Sequence, residues 1–168
     1  MTKLSNEEVL ARINEVFASD VLGHEEPYGF LTVEIKAEKA HDFIAWLKTD
    51  ATLQCSFLTN LGAVHYPDDK GREFALVYHL HSWTKGFRLR LKTYLSEENL
   101  TIPTITDIYD GANWMERETY DLFGVNFTGH PNLRRILNMD SMDYFPMRKQ
   151  YHLEDTTRED KDDRFFGR

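Results

Sequence analysis

Three carboxylates fall within two turns in Glu116-Arg-Glu-Thr-Tyr-Asp121, the raw material for general acid/base chemistry or for holding a divalent cation. Arg117 and Asp121 stand four residues apart, the spacing at which opposite charges meet along a helix. Such a pair contributes a few tenths of a kcal/mol when exposed and becomes a specific anchor when buried at an interface. No Ser, Cys or Lys nucleophile signature and no phosphate-cradling glycine loop accompanies these residues, so anchoring is favoured over catalysis. The turn Gly129-His-Pro131 then aims Leu133-Arg-Arg-Ile-Leu137 back past the acidic helix end. There Arg134 and Arg135 can each donate forked hydrogen bonds to Glu116, Glu118 or Asp121, in this chain or in a neighbour.

A second constellation is Tyr78-His-Leu-His81. On a strand, His79 and His81 project from the same face and can share a metal. Spacing implies no third ligand, although His65 lies in the preceding segment, and a polar strand face is the favoured reading. Arg88, Arg90 and Lys92 alternate along the next segment; they can hold an anion, but a solvated or interface face is the simpler use. A free-standing metal-dependent hydrolase built on His79, His81 and Glu116 or Asp121 is the competing function of another class.

Bulk properties narrow the field. A formal net charge of −8 over 168 residues opposes a phosphate backbone as ligand, so nucleic acid is disfavoured. Cys55, the only cysteine, excludes an intrachain disulfide and any cysteine-based zinc or iron–sulfur site held by this chain alone. The first ten residues lack the apolar core of a signal peptide, and no apolar run approaches the roughly 20 residues that span a bilayer. Membrane association is therefore expected only through partners.

The elements that must position these residues follow from periodicity. Ser5 and Glu8 form a capping box ahead of Val9, Leu10, Ile13, Val16 and Phe17, which predicts an opening amphipathic helix. Leu31, Val33 and Ile35 alternate with polar residues as in a half-buried strand, and a second helix follows with Ala40, Phe43, Ile44 and Leu47 inward. Leu53 to Leu58 reads as a strand. Glu73 to His81 is the clearest strand and pairs antiparallel with Phe87 to Tyr94 through a loop ending in Lys85-Gly86. From Thr104 to Phe123 apolar residues step by three or four, the longest helix, with Gly124 as its stop. This order implies an α+β layer, helices packed on one face of a mainly antiparallel or mixed sheet, spanning residues 1–124.

Residues 125–168 have a different texture, turn-rich and without long periodicity. From Asn138 onward they nevertheless carry Met139, Met142, Tyr144, Phe145, Met147, Tyr151, Leu153, Phe165 and Phe166. Burying each contributes about 2 kcal/mol, whereas ordering the backbone costs on the order of 1–2 kcal/mol per residue. The segment is therefore expected to be an extension that lies on another protein and orders there. The competing expectation is that it wraps over its own domain.

The run from Glu116 to Leu137 resembles the signature of the C-type (30 kDa-type) peripheral-arm subunit of respiratory complex I, the proton-translocating NADH:quinone oxidoreductase. Glu116, Arg117, Glu118, Asp121, Leu122, Phe123, His130, Arg134, Ile136 and Leu137 meet that family's pattern. The resemblance continues in Asp143-Tyr-Phe-Pro-Met-Arg-Lys-Gln-Tyr-His-Leu153, through Pro146, Arg148, Lys149 and Tyr151. Met147 stands there for the usual Leu, a volume-conserving change, and His152 for the usual Pro. The resemblance implies a cofactor-free structural subunit, with FMN and iron–sulfur clusters in partner subunits. The implied partners are the large quinone-site (D-type) and the iron–sulfur (B- and I-type) subunits, and the implied place is the cytoplasmic face of the bacterial inner membrane, peripheral. Related membrane-bound hydrogenases or ferredoxin-fed complexes share this scaffold and are the alternative within the same architecture.

Overall fold

The computed structural model describes residues 3–151. Helix α1 (Asn6–Phe17) starts from the expected capping box: the Ser5 hydroxyl accepts from the Glu8 N–H at 3.2 Å, and the Glu8 carboxylate accepts from the Ser5 N–H at 2.8 Å. Strands β1 (Val21–Glu25) and β2 (Thr32–Ile35) precede α2 (Ala40–Thr49). Then come β3 (Phe57–His65), β4 (Phe74–Ser82), β5 (Phe87–Leu95), the short β6 (Thr101–Pro103), α3 (Ala112–Phe123) and β7 (Asn126–Thr128).

Five strands form one sheet in the order β1-β2-β5-β4-β3, with β2 and β5 parallel and the other neighbours antiparallel. The α+β expectation, with a mixed sheet, therefore holds. Alternation decides which face is covered. Phe74, Leu76, Tyr78 and Leu80 of β4, Phe87, Leu89 and Leu91 of β5, and Val33 and Ile35 of β2 are buried with Val9 and Ile13 of α1 and Phe43, Ile44 and Leu47 of α2. The opposite face carries His79, His81, Arg90 and Lys92 half-buried and Arg88 exposed. Truncating one of the fully buried leucines to Ala would remove about 3 kcal/mol, the transfer term plus the cavity left behind.

Several boundaries differ from the sequence expectation for local reasons. The strand expected over Leu53–Leu58 starts only at Phe57, because Asp50 accepts from the Thr52 and Leu53 N–H groups at 2.9 and 3.0 Å and makes a turn there. Gln54 follows in the left-handed region at φ 49°. Leu53 and Cys55 are still buried, so their apolar character reports the core and not a strand. The helix expected from Thr104 begins at Ala112; Ile105, Ile108 and Tyr109 lie in preceding turns, with the Ile108 and Tyr109 N–H groups both donating to the Ile105 carbonyl. Successive turns present side chains at nearly helical intervals, and all three are buried. Strands β1, β6 and β7 carry too short a pattern to stand out; β6 and β7 pair in parallel and place Ile102 and Phe127 in the core.

Candidate functional site

The carboxylate-rich motif sits on α3, which packs against β3. Its first carboxylate, Glu116, is fully buried and accepts from the Ile105 N–H at 2.7 Å and from the Thr104 hydroxyl. Burial pushes its carboxyl up to about 7, against the opposing pull of the Ile105 and Thr104 hydrogen bonds. Glu116 therefore ties the turn ahead of α3 to the helix; among the described residues no second titratable group hydrogen-bonds to it.

Asp121, a turn and a half further on, is equally buried but differently served. Its Oδ2 accepts from the backbone N–H groups of Ile136, Leu137 and Asn138 at 3.0, 2.7 and 2.9 Å. Its Oδ1 accepts from the Asn138 side-chain amide at 3.0 Å and from Arg135 Nη1 at 2.8 Å. Burial alone would raise this carboxyl, but those donors outweigh it and hold the group well below the usual carboxylate range. Arg135 also donates to the carbonyls of Asp121, Met142 and Tyr144. One carboxylate and one guanidinium thus fix the course of residues 135–144.

The expected charge meeting is therefore present, but with one choice among its options. Arg135 takes Asp121. Arg117 does not pair with Asp121 along the helix: its Nε donates to the Arg134 carbonyl at 3.3 Å and its guanidinium lies 4.8 Å over the Trp114 ring. The reason is competition, because Asp121 already receives five donors from the returning segment. Arg134 and Glu118 are exposed, and neither makes an ion pair among the described residues. His130 locks the return: its Nε2 bonds the Asn113 carbonyl at 3.2 Å, and its Nδ1 accepts from the Asn132 N–H at 3.0 Å.

Gly124 closes the helix in the left-handed region at φ 82°, ψ 22°. A Cβ there would lie 2.6 Å from the Phe145 ring and 2.8 Å from Arg148 Nη2, so glycine is needed for the close approach as well as for the turn. Residues 139–151, expected to find their surface on another protein, lie against their own domain along this seam. Arg148 donates to the Phe123 carbonyl at 2.8 Å and sits between the Phe74 and Phe145 rings. Its Nη1 reaches Glu97 at 3.4 Å. The Met147 N–H donates to the Leu122 carbonyl, and the Lys149 N–H donates to His65 Nδ1 at 3.0 Å. Pro146 is half-buried in the same turn, and Tyr151 lies 5.0 Å from Tyr144. His152, Leu153, Phe165 and Phe166 lie outside the described residues.

The histidines are not brought together as a metal site. His79 accepts from Arg90 Nε at 3.1 Å, its imidazole held below its ordinary range by burial and then by Arg90. The His81 ring lies 4.5 Å from Trp83, and His65 stacks on Phe74 at 4.4 Å. Among the described residues no three His, Cys, Asp or Glu side chains are placed to hold a metal ion. Cys55 is enclosed, and burial pushes its thiol up to about 12, so it is not a reactive thiolate. The residues that sequence reasoning missed are Asn138, Glu97 and His65, partners of the returning segment. No spacing in the sequence marked them as partners, because each meets only a single residue across the seam.

The geometry is that of a junction between α3 and the segment that returns over it. The family described as "Respiratory-chain NADH dehydrogenase, 30 Kd subunit" matches residues 33–157. The chain belongs to this family. It is 41% identical over 152 residues to the C-type subunit of the NADH-quinone oxidoreductase of Roseiflexus castenholzii, covering 89% of this chain and 86% of that one. With the corresponding NADH-quinone oxidoreductase subunit of Geobacter sulfurreducens it shares 38% over 154 residues, covering 92% and 94%. Among solved structures, a trypsin-resistant fragment of Nqo5 superimposes with a TM-score of 0.64 at 33% identity, covering 74% of this chain and 98% of that one. A chain of the membrane-bound sulfane sulfur reductase, an archaeal respiratory membrane complex, superimposes with a TM-score of 0.73 at 28% identity, covering 88% and 85%. As a family member the chain is a subunit of a membrane-associated respiratory complex. No helix among its described residues is long and apolar enough to cross a membrane.

Proposed function

We propose that this chain is a non-catalytic scaffold of the peripheral arm of a proton-pumping NADH:quinone oxidoreductase. Residues 1–124 act as the body, and 125–168 as a segment that docks on partner subunits. The observation that carries this reading is the two-sidedness of residues 135–151. Their inner groups Arg135, Phe145 and Arg148 are engaged with α3 and β4, whereas Leu137, Met139, Tyr144, Met147 and Tyr151 remain exposed on the outside. Five large apolar side chains in 15 residues are more than a free surface usually presents, and they suit a partner's surface. The partners are the large quinone-site (D-type) subunit and the iron–sulfur (B- and I-type) subunits, and FMN and the clusters reside in those other chains. The complex sits at the cytoplasmic face of a bacterial inner membrane, reached only through partners.

Likeness to the sulfane sulfur reductase chain favours a second reading of the same scaffold, in a complex fed by a donor other than NADH. Affinity purification of the tagged chain from its native membranes separates them. Co-purification of flavin- and cluster-bearing subunits with NADH:quinone activity is expected. Co-purification of an intact complex that does not oxidise NADH selects the second reading, and recovery of the chain alone with bound zinc or manganese contradicts both.

A further inference from the structure

Arg135 and Arg117 are both largely buried beside α3, yet only one is satisfied. Arg135 fills four acceptors. Arg117, 6% exposed, spends its Nε on the Arg134 carbonyl, and its Nη1 and Nη2 meet no acceptor among the described residues. Neither Nη is among the fully enclosed polar atoms, so the fork opens at the surface. A guanidinium taken this far out of water without an anion is costly, and its geometry is made for a carboxylate.

The surroundings point the same way. Trp114, one turn before Arg117, is 63% exposed and holds the guanidinium against its ring. Of the two glutamates that flank Arg117, Glu116 is turned to Thr104 and Ile105 and Glu118 is exposed and pairs with nothing among the described residues. A fixed cation and a bare indole are thus gathered on one corner. Trp and Arg together are the composition of a binding hot spot, and a chain of net charge −8 with so few cations here is ill suited to a polyanion.

We propose that the Trp114–Arg117 corner of α3 is a socket for an acidic side chain of a neighbouring subunit. The carboxylate takes the free fork of Arg117, and the flanking residues pack on Trp114. This rests on the scaffold reading and names one contact within it.

The test uses the assembled complex. The full chain carrying p-benzoylphenylalanine in place of Trp114 is incorporated and irradiated, and the product is mapped by mass spectrometry. One peptide of one partner subunit, containing Asp or Glu, is expected. In competition with wild type, Arg117→Gln is expected to incorporate about 30-fold less well, the loss typical of a buried hot-spot residue. Arg117→Lys should recover only part of this, because an ammonium lacks the fork. Thermal unfolding of the isolated Arg117→Gln chain should match wild type, which separates docking from folding. Equal incorporation of Arg117→Gln, an equal loss of stability in the isolated variant, or a cross-link to residues 152–168 of the same chain would overturn the socket. A complex that assembles without a cross-link at position 114 removes the socket and leaves the scaffold reading. A chain that enters no complex removes both.

Discussion

Glu116 and Asp121 lie on one helix, in one motif, with no exposed surface on either, yet their surroundings push them in opposite directions. At the N-terminal half of α3, Glu116 is met by one backbone N–H and one hydroxyl, too little to offset burial, and its carboxyl rises to about 7. At the C-terminal half, Asp121 is met by three backbone N–H groups, an amide and a guanidinium, and its carboxyl falls far below the ordinary range. Donor count, more than burial, decides whether a buried carboxyl keeps its charge. The difference also assigns the work. Asp121 is a permanent anion around which a returning segment is wound, whereas Glu116 staples a turn and can do so neutral. A raised carboxyl can mark a proton-transfer site, but among the described residues Glu116 has no titratable group hydrogen-bonded to it, which fits a structural part.

The largest effect that would break this contrast is expected from Asp121→Ala. It leaves Arg135 buried without its anion and three N–H groups without an acceptor, a loss on the order of 4 kcal/mol. Denaturant unfolding of the isolated chain measures it, and a loss below about 1 kcal/mol would show that the donors find water instead. The sign of the pH dependence follows from the same groups. Because the Asp121 carboxyl is depressed, its contribution is present above its ordinary value near 4 and is lost as the pH falls below that.

Glu116 runs the other way. Its folded value of about 7 lies above the ordinary 4.5, so its contribution is complete below about pH 4.5 and is lost as the pH rises through 7. Wild type should therefore lose roughly 2 kcal/mol between pH 5 and 9 that Glu116→Gln does not lose, since the amide keeps the neutral form's shape. Unfolding curves at both pH values check this, and parallel losses in the two proteins would mean that Glu116 is ionised throughout.

Much of this was legible in the residues. The capping box, the β4–β5 hairpin, the second helix and the Gly124 stop all rest on local rules, and each formed as its residues predict. The meeting of Arg135 with Asp121 was also within reach, because the turn at Gly129 brings the two segments back together. What could not be read was the allocation among neighbours. Arg117 sits at helical spacing from Asp121, but the 136–138 backbone competes for the same oxygens and wins with three donors at once. Nor could periodicity reveal that residues 139–151 lie against the C-terminal end of α3, because their contacts are made by single residues, Phe145 against Gly124 and Arg148 between two rings. Such contacts leave no period in the sequence. The likeness of Ile105, Ile108 and Tyr109 to a helix had the opposite cause, a periodicity produced by turns.

Amide hydrogen exchange of the isolated chain at Ile136, Leu137 and Asn138 tests most directly whether Asp121 anchors the returning segment. These three amides should be protected in wild type and should exchange freely in Asp121→Ala, which has no acceptor, while the β4 and β5 amides stay the better protected. Free exchange at all three in the wild-type chain, or unchanged protection in the variant, would contradict the role given to Asp121.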